Sequence, residues 1–251
     1  MGIHTKQNLR LFIYIVLMVL WSKVLFCNQT DLNLAKQEFL NGNYDKSIAI
    51  ASKLNTIESM IFLSRTISIY SNFYKDGELA KENYLKAYSI SKKAISINKN
   101  NASAYAEAAH ALGRYGQEIG IMPAITKGIA DRVKTYLDKA LEIDNKNIIA
   151  NLSKGIWHAE IVNQAGKMLA KVMYGAKIDI ARVHFNKVID LNSNEIGILY
   201  ELSYGYFLLG EKKDLEICKT YIKKLTSIDS ISHLDNLYKK KAKKLESKLS
   251  N

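Results

Sequence analysis

The stretch KKAISINKNN at residues 92–101 decides the fold, because the chain repeats its pattern. Related stretches share a basic or amide start, a small or apolar residue, alternating Leu or Ile, and a polar end: DKALEIDNKN at 138–147, NKVIDLNSNE at 186–195 and KKLTSIDSIS at 223–232. This pattern is typical of an amphipathic helix that ends in a tight turn. A repeated helix ending predicts a stacked array of helices, and such arrays usually bind other molecules.

The spacing of these stretches gives the length of the repeat. Their small or apolar reference residues are Ala94, Ala140, Val188 and Leu225, which are 46, 48 and 37 residues apart. One class of helix-turn-helix repeat has a period of about 34 residues, and against that period the first two spacings are each more than ten residues too long. We therefore expect an insertion in each of the two middle units.

The residues around the reference positions form one helical stripe. Positions seven and three residues before each reference residue carry Ala87 and Ser91, Val133 and Leu137, Ala181 and Phe185, and Cys218 and Ile222. After the first turn, Tyr105, Ala108 and Ala109 supply the aromatic and small residues needed for close helix crossing. In these features residues 31–230 resemble the tetratricopeptide-repeat (TPR) family. The proline that normally closes its second helix is replaced by Lys99, Asn145, Ser193 and Ser230.

The resemblance implies an all-α solenoid of stacked antiparallel helix pairs. We expect a right-handed stack of roughly four to five pairs. Residues 232–249 should form a C-terminal capping helix, with Tyr238 on its apolar face and lysines on its outer side. A basic terminal helix could also bind nucleic acid, but the structural role as a cap is favoured.

A narrower resemblance involves three segments in the middle of the chain. ALEID at 140–144, GIWH at 155–158 and ARVHF at 181–185 look like the order of segments in the T component of tripartite ATP-independent periplasmic (TRAP) transporters. That resemblance implies an exported accessory subunit of a solute transporter.

Residues 1–27 have the features of an export signal. A basic start at His4, Lys6 and Arg10 precedes an apolar run of 11 residues, 11–21, which is too short to cross a bilayer. Large residues at the expected cleavage site leave an uncleaved membrane anchor or a lipidated Cys27 as alternatives. Residues 28–251 would then form the helical repeat domain, located in the periplasm or cell envelope.

The two insertions fall at residues 113–128 and 163–177. One interpretation is that they extend the neighbouring helices and bury Ile121, Met122, Met168, Leu169 and Met173 in a thicker core. The other is that they form one continuous lip beside the binding groove, because they occupy equivalent places in neighbouring units.

The chain carries few signs of catalytic chemistry. Its five histidines are scattered, and only His158 has a close carboxylate, Glu160, so we expect no metal site and no cofactor. His158 is instead interpreted as a polar contact or as a hydrogen-bonded residue between helices. Cys218 lies in an apolar helix stripe and is expected to be a buried residue, not a nucleophile. The net charge of +12 is interpreted mainly as lysine-covered helix faces, although it also suits anionic partners or lipid headgroups.

The TPR resemblance also implies where a partner would bind. Carried over by position, the inner surface of the first helices contains seven groove candidates: His110, Arg114, Ile156, Glu160, Tyr200, Tyr204 and Phe207. We therefore expect an exported, non-enzymatic scaffold that binds a protein or peptide in a concave groove and does not bind nucleic acid. The alternative is the transporter accessory subunit, and residues 1–27 offer a possible membrane tether.

Overall fold

The computed structural model describes residues 29–249, in which helices are joined by short turns and no strand occurs. The helices are α1 (29–40), α2 (Tyr44–Ala51), α3 (Ile57–Tyr74), α4 (Gly77–Ile97), α5 (Ala102–Ile119), α6 (Ile121–Thr126), α7 (Ile129–Ile143), α8 (Ile148–Ala165), α9 (Lys167–Tyr174), α10 (Ile178–Asp190), α11 (Ile196–Leu209), α12 (Lys212–Ser227) and α13 (His233–Lys248). The predicted export segment, 1–27, and the side chains of Ile121 and Met122 lie outside the described part of the chain.

The helices pack as consecutive antiparallel pairs. The pairs are α1 with α2, α3 with α4, α5 with α7, α8 with α10, and α11 with α12. The first helices of successive units also pack on each other, in the order α3, α5, α8, α11. The predicted all-α solenoid of stacked helix pairs is therefore confirmed.

The repeated sequence stretches occupy the same structural place in each unit. They close the second helices α4, α7, α10 and α12, as their pattern predicts. In two units the final asparagine also starts the next helix, since Asn101 accepts a hydrogen bond from the Ala104 amide and Asn147 accepts one from the Ala150 amide, at 3.0 and 2.9 Å. One stretch thus encodes both a helix end and the cap of the following helix.

One close crossing in the stack involves two glycines and one phenylalanine. Phe185 of α10 is fully buried between α8 and α11. A β-carbon added at either Gly155 of α8 or Gly205 of α11 would lie 2.3 Å from the Phe185 ring. The absence of a side chain at these two positions lets the neighbouring first helices approach this ring.

The two predicted insertions lie between the first and second helices of their units, and each contains a short helix, α6 or α9. The prediction that they thicken the core is wrong for the second one. Met168, Leu169 and Met173 are 84%, 53% and 62% exposed. The reason is geometric: α9 has only eight residues and buries Ala170 alone, so its opposite face points to solvent.

The predicted cap is present, and Cys218 is buried as expected. Helix α13 packs on α11 and α12. Ser232 begins it with a capping box, in which the Ser232 hydroxyl accepts from the Asp235 amide and the Asp235 carboxylate accepts from the Ser232 amide. Burial raises the pKa of the Cys218 thiol to about 12, which leaves it protonated and unreactive.

Candidate functional site

The seven predicted groove residues lie on three consecutive first helices that pack side by side. All are half-buried: His110 and Arg114 on α5, Ile156 and Glu160 on α8, and Tyr200, Tyr204 and Phe207 on α11. Residues three, four or seven apart share one face of a helix, which explains why each helix contributes its residues to the same surface. We call the surface formed by these seven residues the inner face.

An ion pair crosses the inner face from α5 to α11. The Arg114 guanidinium donates to the Glu201 carboxylate at 2.7 Å, and the two side chains are 18% and 14% exposed. The same guanidinium donates to Gln117 at 3.2 Å. Because α8 lies between α5 and α11 in the stack, this ion pair shows that the inner face is strongly curved.

His110 is held in its neutral form on this face. Its Nε2 atom accepts a hydrogen bond from the Arg114 Nε–H at 3.4 Å. Burial, together with the positive charges of Arg114 and Arg65, lowers the pKa of His110 to about 3. The imidazole therefore serves as a hydrogen-bond acceptor at neutral pH.

Glu160 joins all three helices. Its carboxylate accepts from the Gln117 amide of α5 at 2.9 Å and from the Tyr204 hydroxyl of α11 at 3.4 Å. Burial raises the pKa of Glu160, and burial beside Glu160 raises the pKa of Tyr204 to about 12. Two of the predicted groove residues, Glu160 and Tyr204, are therefore in direct contact, and Gln117 completes the group.

Helix α13 covers another part of the inner face. Its Tyr238 is buried against Tyr200, with ring centroids 5.4 Å apart, and against Phe73 of α3 at 5.1 Å. The nearby Lys241 donates to the Asn72 side chain at 3.2 Å and lies 4.5 Å from the Phe73 ring centroid. The cap thus also spans from the last unit to an early one.

The beginning of α13 extends this contact to the first pair. The His233 ring lies 6.0 Å from the Tyr44 ring and 6.5 Å from the Tyr74 ring. A β-carbon at Gly42 would meet the His233 side chain at 2.6 Å, so the chain needs glycine in that turn. The solenoid is therefore closed by its own C-terminal helix.

A family model matches nearly this entire chain. The model is described as Regulator of microtubule dynamics protein 1-3 (RMD1-3), and it matches residues 26–250. The chain belongs to the RMD1-3 family. No curated protein matches this chain in sequence.

The solved structures similar to this RMD1-3 family member include a TPR protein. TTC0263, a thermophilic TPR protein of Thermus thermophilus, has a TM-score of 0.58 at 14% identity and covers 89% of this chain and 97% of its own. Two structures of MamA have TM-scores of 0.41 and 0.40, both at 15% identity, covering 78% and 86% of this chain and 88% and 96% of their own. The likeness to TTC0263 supports the TPR fold and is too distant in sequence to indicate a ligand. Fold and family together support a protein-interaction scaffold.

Several residues of the site in this RMD1-3 family member were not singled out from the sequence. Arg65 of α3 donates to the buried Glu107 of α5 from Nε at 2.8 Å and from Nη2 at 2.6 Å. Gln117 and Glu201 complete the contacts of the predicted residues. For Gln117 a signal existed, because it lies three positions after Arg114 on the same helix face. The partners Glu107 and Glu201 lie on other helices, which a local pattern does not reveal.

His158 is hydrogen-bonded between helices, one of the two interpretations made from sequence. Its Nδ1 atom accepts from the Lys177 amide, just before α10, at 3.2 Å. Burial, with Lys154 and His184 nearby, lowers the pKa of His158 to about 3. Within residues 29–249, no three His, Cys, Asp or Glu side chains are placed to hold a metal ion. In the same range, every helix is too short or too polar to cross a bilayer.

Proposed function

We propose that this protein is a non-enzymatic scaffold that binds a protein or peptide partner at the open end of its inner face. The observation that carries this proposal is the convergence of Gln117, Glu160 and Tyr204 from three successive units. This surface forms only when the units are stacked, because Gln117, Glu160 and Tyr204 come from three different units.

The open end is the part of the inner face beyond the α13 contacts. Helix α13 meets α11 at Gly197 and Tyr200, whereas Tyr204 and Phe207 lie one to two turns further along. Half-buried aromatic side chains that are supported from behind are common anchors for partners. Glu160 can accept further hydrogen bonds, so a segment with an apolar anchor and an N–H donor would fit here.

The family description indicates the kind of partner. Since the matching family is described as regulating microtubule dynamics, we propose that the partner is tubulin or a protein bound to microtubules. Sedimentation of the full chain with polymerised tubulin tests this directly. The proposal would be contradicted if the protein stayed in the supernatant at saturating polymer, both in the absence and in the presence of a cell extract.

Substitutions on the inner face, compared with the same substitution elsewhere, locate the binding surface. Tyr204→Ala and Glu160→Gln should each weaken partner binding about tenfold or more, as expected for anchor residues. Tyr221→Ala is the control, because Tyr221 is also half-buried but lies on the second helix α12. If Tyr204→Ala binds as well as the unchanged protein while its melting curve shows an intact fold, the open end is not the binding surface.

The location of the protein remains a proposal. The basic start and apolar run of residues 1–27 support a membrane tether, which is compatible with a microtubule partner, or export, which would exclude that partner. Intact mass and membrane fractionation of the expressed protein distinguish cleavage, retention and lipidation at Cys27. The transporter-subunit interpretation stays a prediction, which copurification with a solute-binding protein would support.

A further inference from the structure

The outer face of α9 is apolar and exposed. Met168 and Val172 are 84% and 75% exposed, and Leu169 and Met173 are 53% and 62% exposed. Ala170 is the residue by which α9 rests on the stack. Four large apolar side chains on one eight-residue helix make a contiguous patch, which soluble surfaces seldom carry without a binding role.

Lysines border this patch. Lys167 and Lys171 lie one turn apart on one flank of the helix, and α9 contains no acidic residue. Lys167 is paired with Glu211 of the neighbouring unit at 3.1 Å, and Lys171 is exposed. An apolar face with a cationic flank is the arrangement of helices that lie in the interface of anionic membranes.

Charge favours an anionic membrane over a second copy of this chain, because the flank of α9 is cationic and the chain itself carries a net charge of +12. Gly166 and Gly175 bound α9 with φ angles of +77° and +68°, so the chain changes direction at both ends of this short helix. At the equivalent place in the preceding unit, α6 exposes Pro123 and Ile125 and is followed by the exposed Lys127.

We propose that α9 docks on the surface of a bilayer that contains anionic lipids. Its four apolar side chains enter the boundary between headgroups and acyl chains, and Lys171 contacts lipid phosphates or carboxylates. This docking surface lies beside the inner face and is separate from it, because α9 begins just after the end of α8. The scaffold can therefore rest on a membrane while its inner face holds a protein.

A fluorescent label at the patch tests this in the full chain. In a Cys27→Ser background, Met168→Cys is labelled with a polarity-sensitive dye, while Cys218 stays unlabelled because it is buried. Phosphatidylcholine vesicles containing phosphatidylserine should shift the emission to the blue, and pure phosphatidylcholine vesicles should do so much more weakly. Lys171→Gln should lower the vesicle affinity about fivefold, as expected for one lysine at an anionic surface, and Val172→Glu should abolish the shift.

A label at Ile231→Cys is the control, because Ile231 is 88% exposed and lies in the turn before α13. It reports whether residues 1–27 alone bring the protein to the vesicles, and its emission should not change. The proposal would be overturned if the protein bound to the vesicles while the emission of the label at position 168 did not shift. A shift that needs no vesicles and grows with protein concentration would also overturn it and would assign the patch to a second copy. A shift caused only by polymerised tubulin would assign it to a protein partner.

Discussion

Replacing Gly205 by alanine should destabilise the protein by about 2 kcal/mol. The new methyl group would lie 2.3 Å from the Phe185 ring, closer than the 3.0 Å below which β-carbon contacts essentially do not occur. Phe185 is fully buried, so it cannot move away into solvent. Overpacking of this kind costs about 1–3 kcal/mol, and we take the upper end because the ring is confined. The higher helix propensity of alanine offsets about 1 kcal/mol of this destabilisation.

Gly113 provides the matched control. It lies within α5, as Gly205 lies within α11, but a β-carbon there would meet no atom of the described part of the chain within 4 Å. Gly113→Ala should therefore stabilise the protein by up to about 1 kcal/mol through helix propensity alone. The two substitutions are chemically identical, so their difference of about 3 kcal/mol isolates the contact with Phe185.

Thermal and urea unfolding followed by circular dichroism measure both variants. For a chain of this size, a loss of about 2 kcal/mol corresponds to a decrease in melting temperature of about 4–8 °C. Adding Phe185→Leu to Gly205→Ala should cost at least about 1 kcal/mol less than the sum of the two single changes, since the smaller side chain removes the overlap. Equal stabilities of Gly205→Ala and Gly113→Ala would refute the reasoning.

Three further predictions concern buried polar groups. Asp214 is fully buried and accepts two hydrogen bonds from Arg182, so Asp214→Asn should cost about 3 kcal/mol in urea unfolding. Asp179→Asn is its control and should change stability by less than about 0.5 kcal/mol, because Asp179 pairs with the same arginine but is 90% exposed. Ser68 buries a hydroxyl that has no hydrogen-bond partner among residues 29–249. Ser68→Ala should therefore raise the unfolding free energy by about 1 kcal/mol. An unfolding free energy below that of the unchanged protein would show that the hydroxyl is paired. The pKa of His158 is about 3 in the folded protein and 6.5 as its ordinary value, so the unfolded chain binds the proton more readily and stability should decrease as pH falls through this window. The contribution of His158 to this loss should reach about 2 kcal/mol near pH 5. His158→Asn should remove that contribution from the slope of unfolding free energy against pH and leave those of His110 and His184, whose pKa values burial also lowers.

Much of the fold could be predicted from the sequence because it depends on local spacing. The reference residues Ala94, Ala140, Val188 and Leu225 are each fully buried or nearly so, on the second helices where the repeat places them. The stripe around each is a property of a single helix with 3.6 residues per turn. The positions of both insertions followed from the same spacing.

The candidate site was predictable only in part. The sequence placed Glu160 and Tyr204 on equivalent faces of neighbouring first helices, and the structure brings them into contact. It did not reveal that Arg114 would meet Glu201, which lies 87 residues away along the chain. The predicted burial of Met168 was wrong, because apolar character alone does not distinguish a core residue from an exposed one on a short added helix.

The sequence by itself determined the helices, their pairing and the order of the units, since each depends on contacts within one repeat or between neighbours. Only the tertiary structure decided that α13 contacts both Tyr200 of α11 and Phe73 of α3. That contact depends on the rotation of each unit relative to the preceding one, summed over the stack. Every turn and insertion contributes to this sum. Because no local pattern records that sum, the curvature of the inner face and its partial covering by the C-terminal helix appear only when the whole stack is assembled.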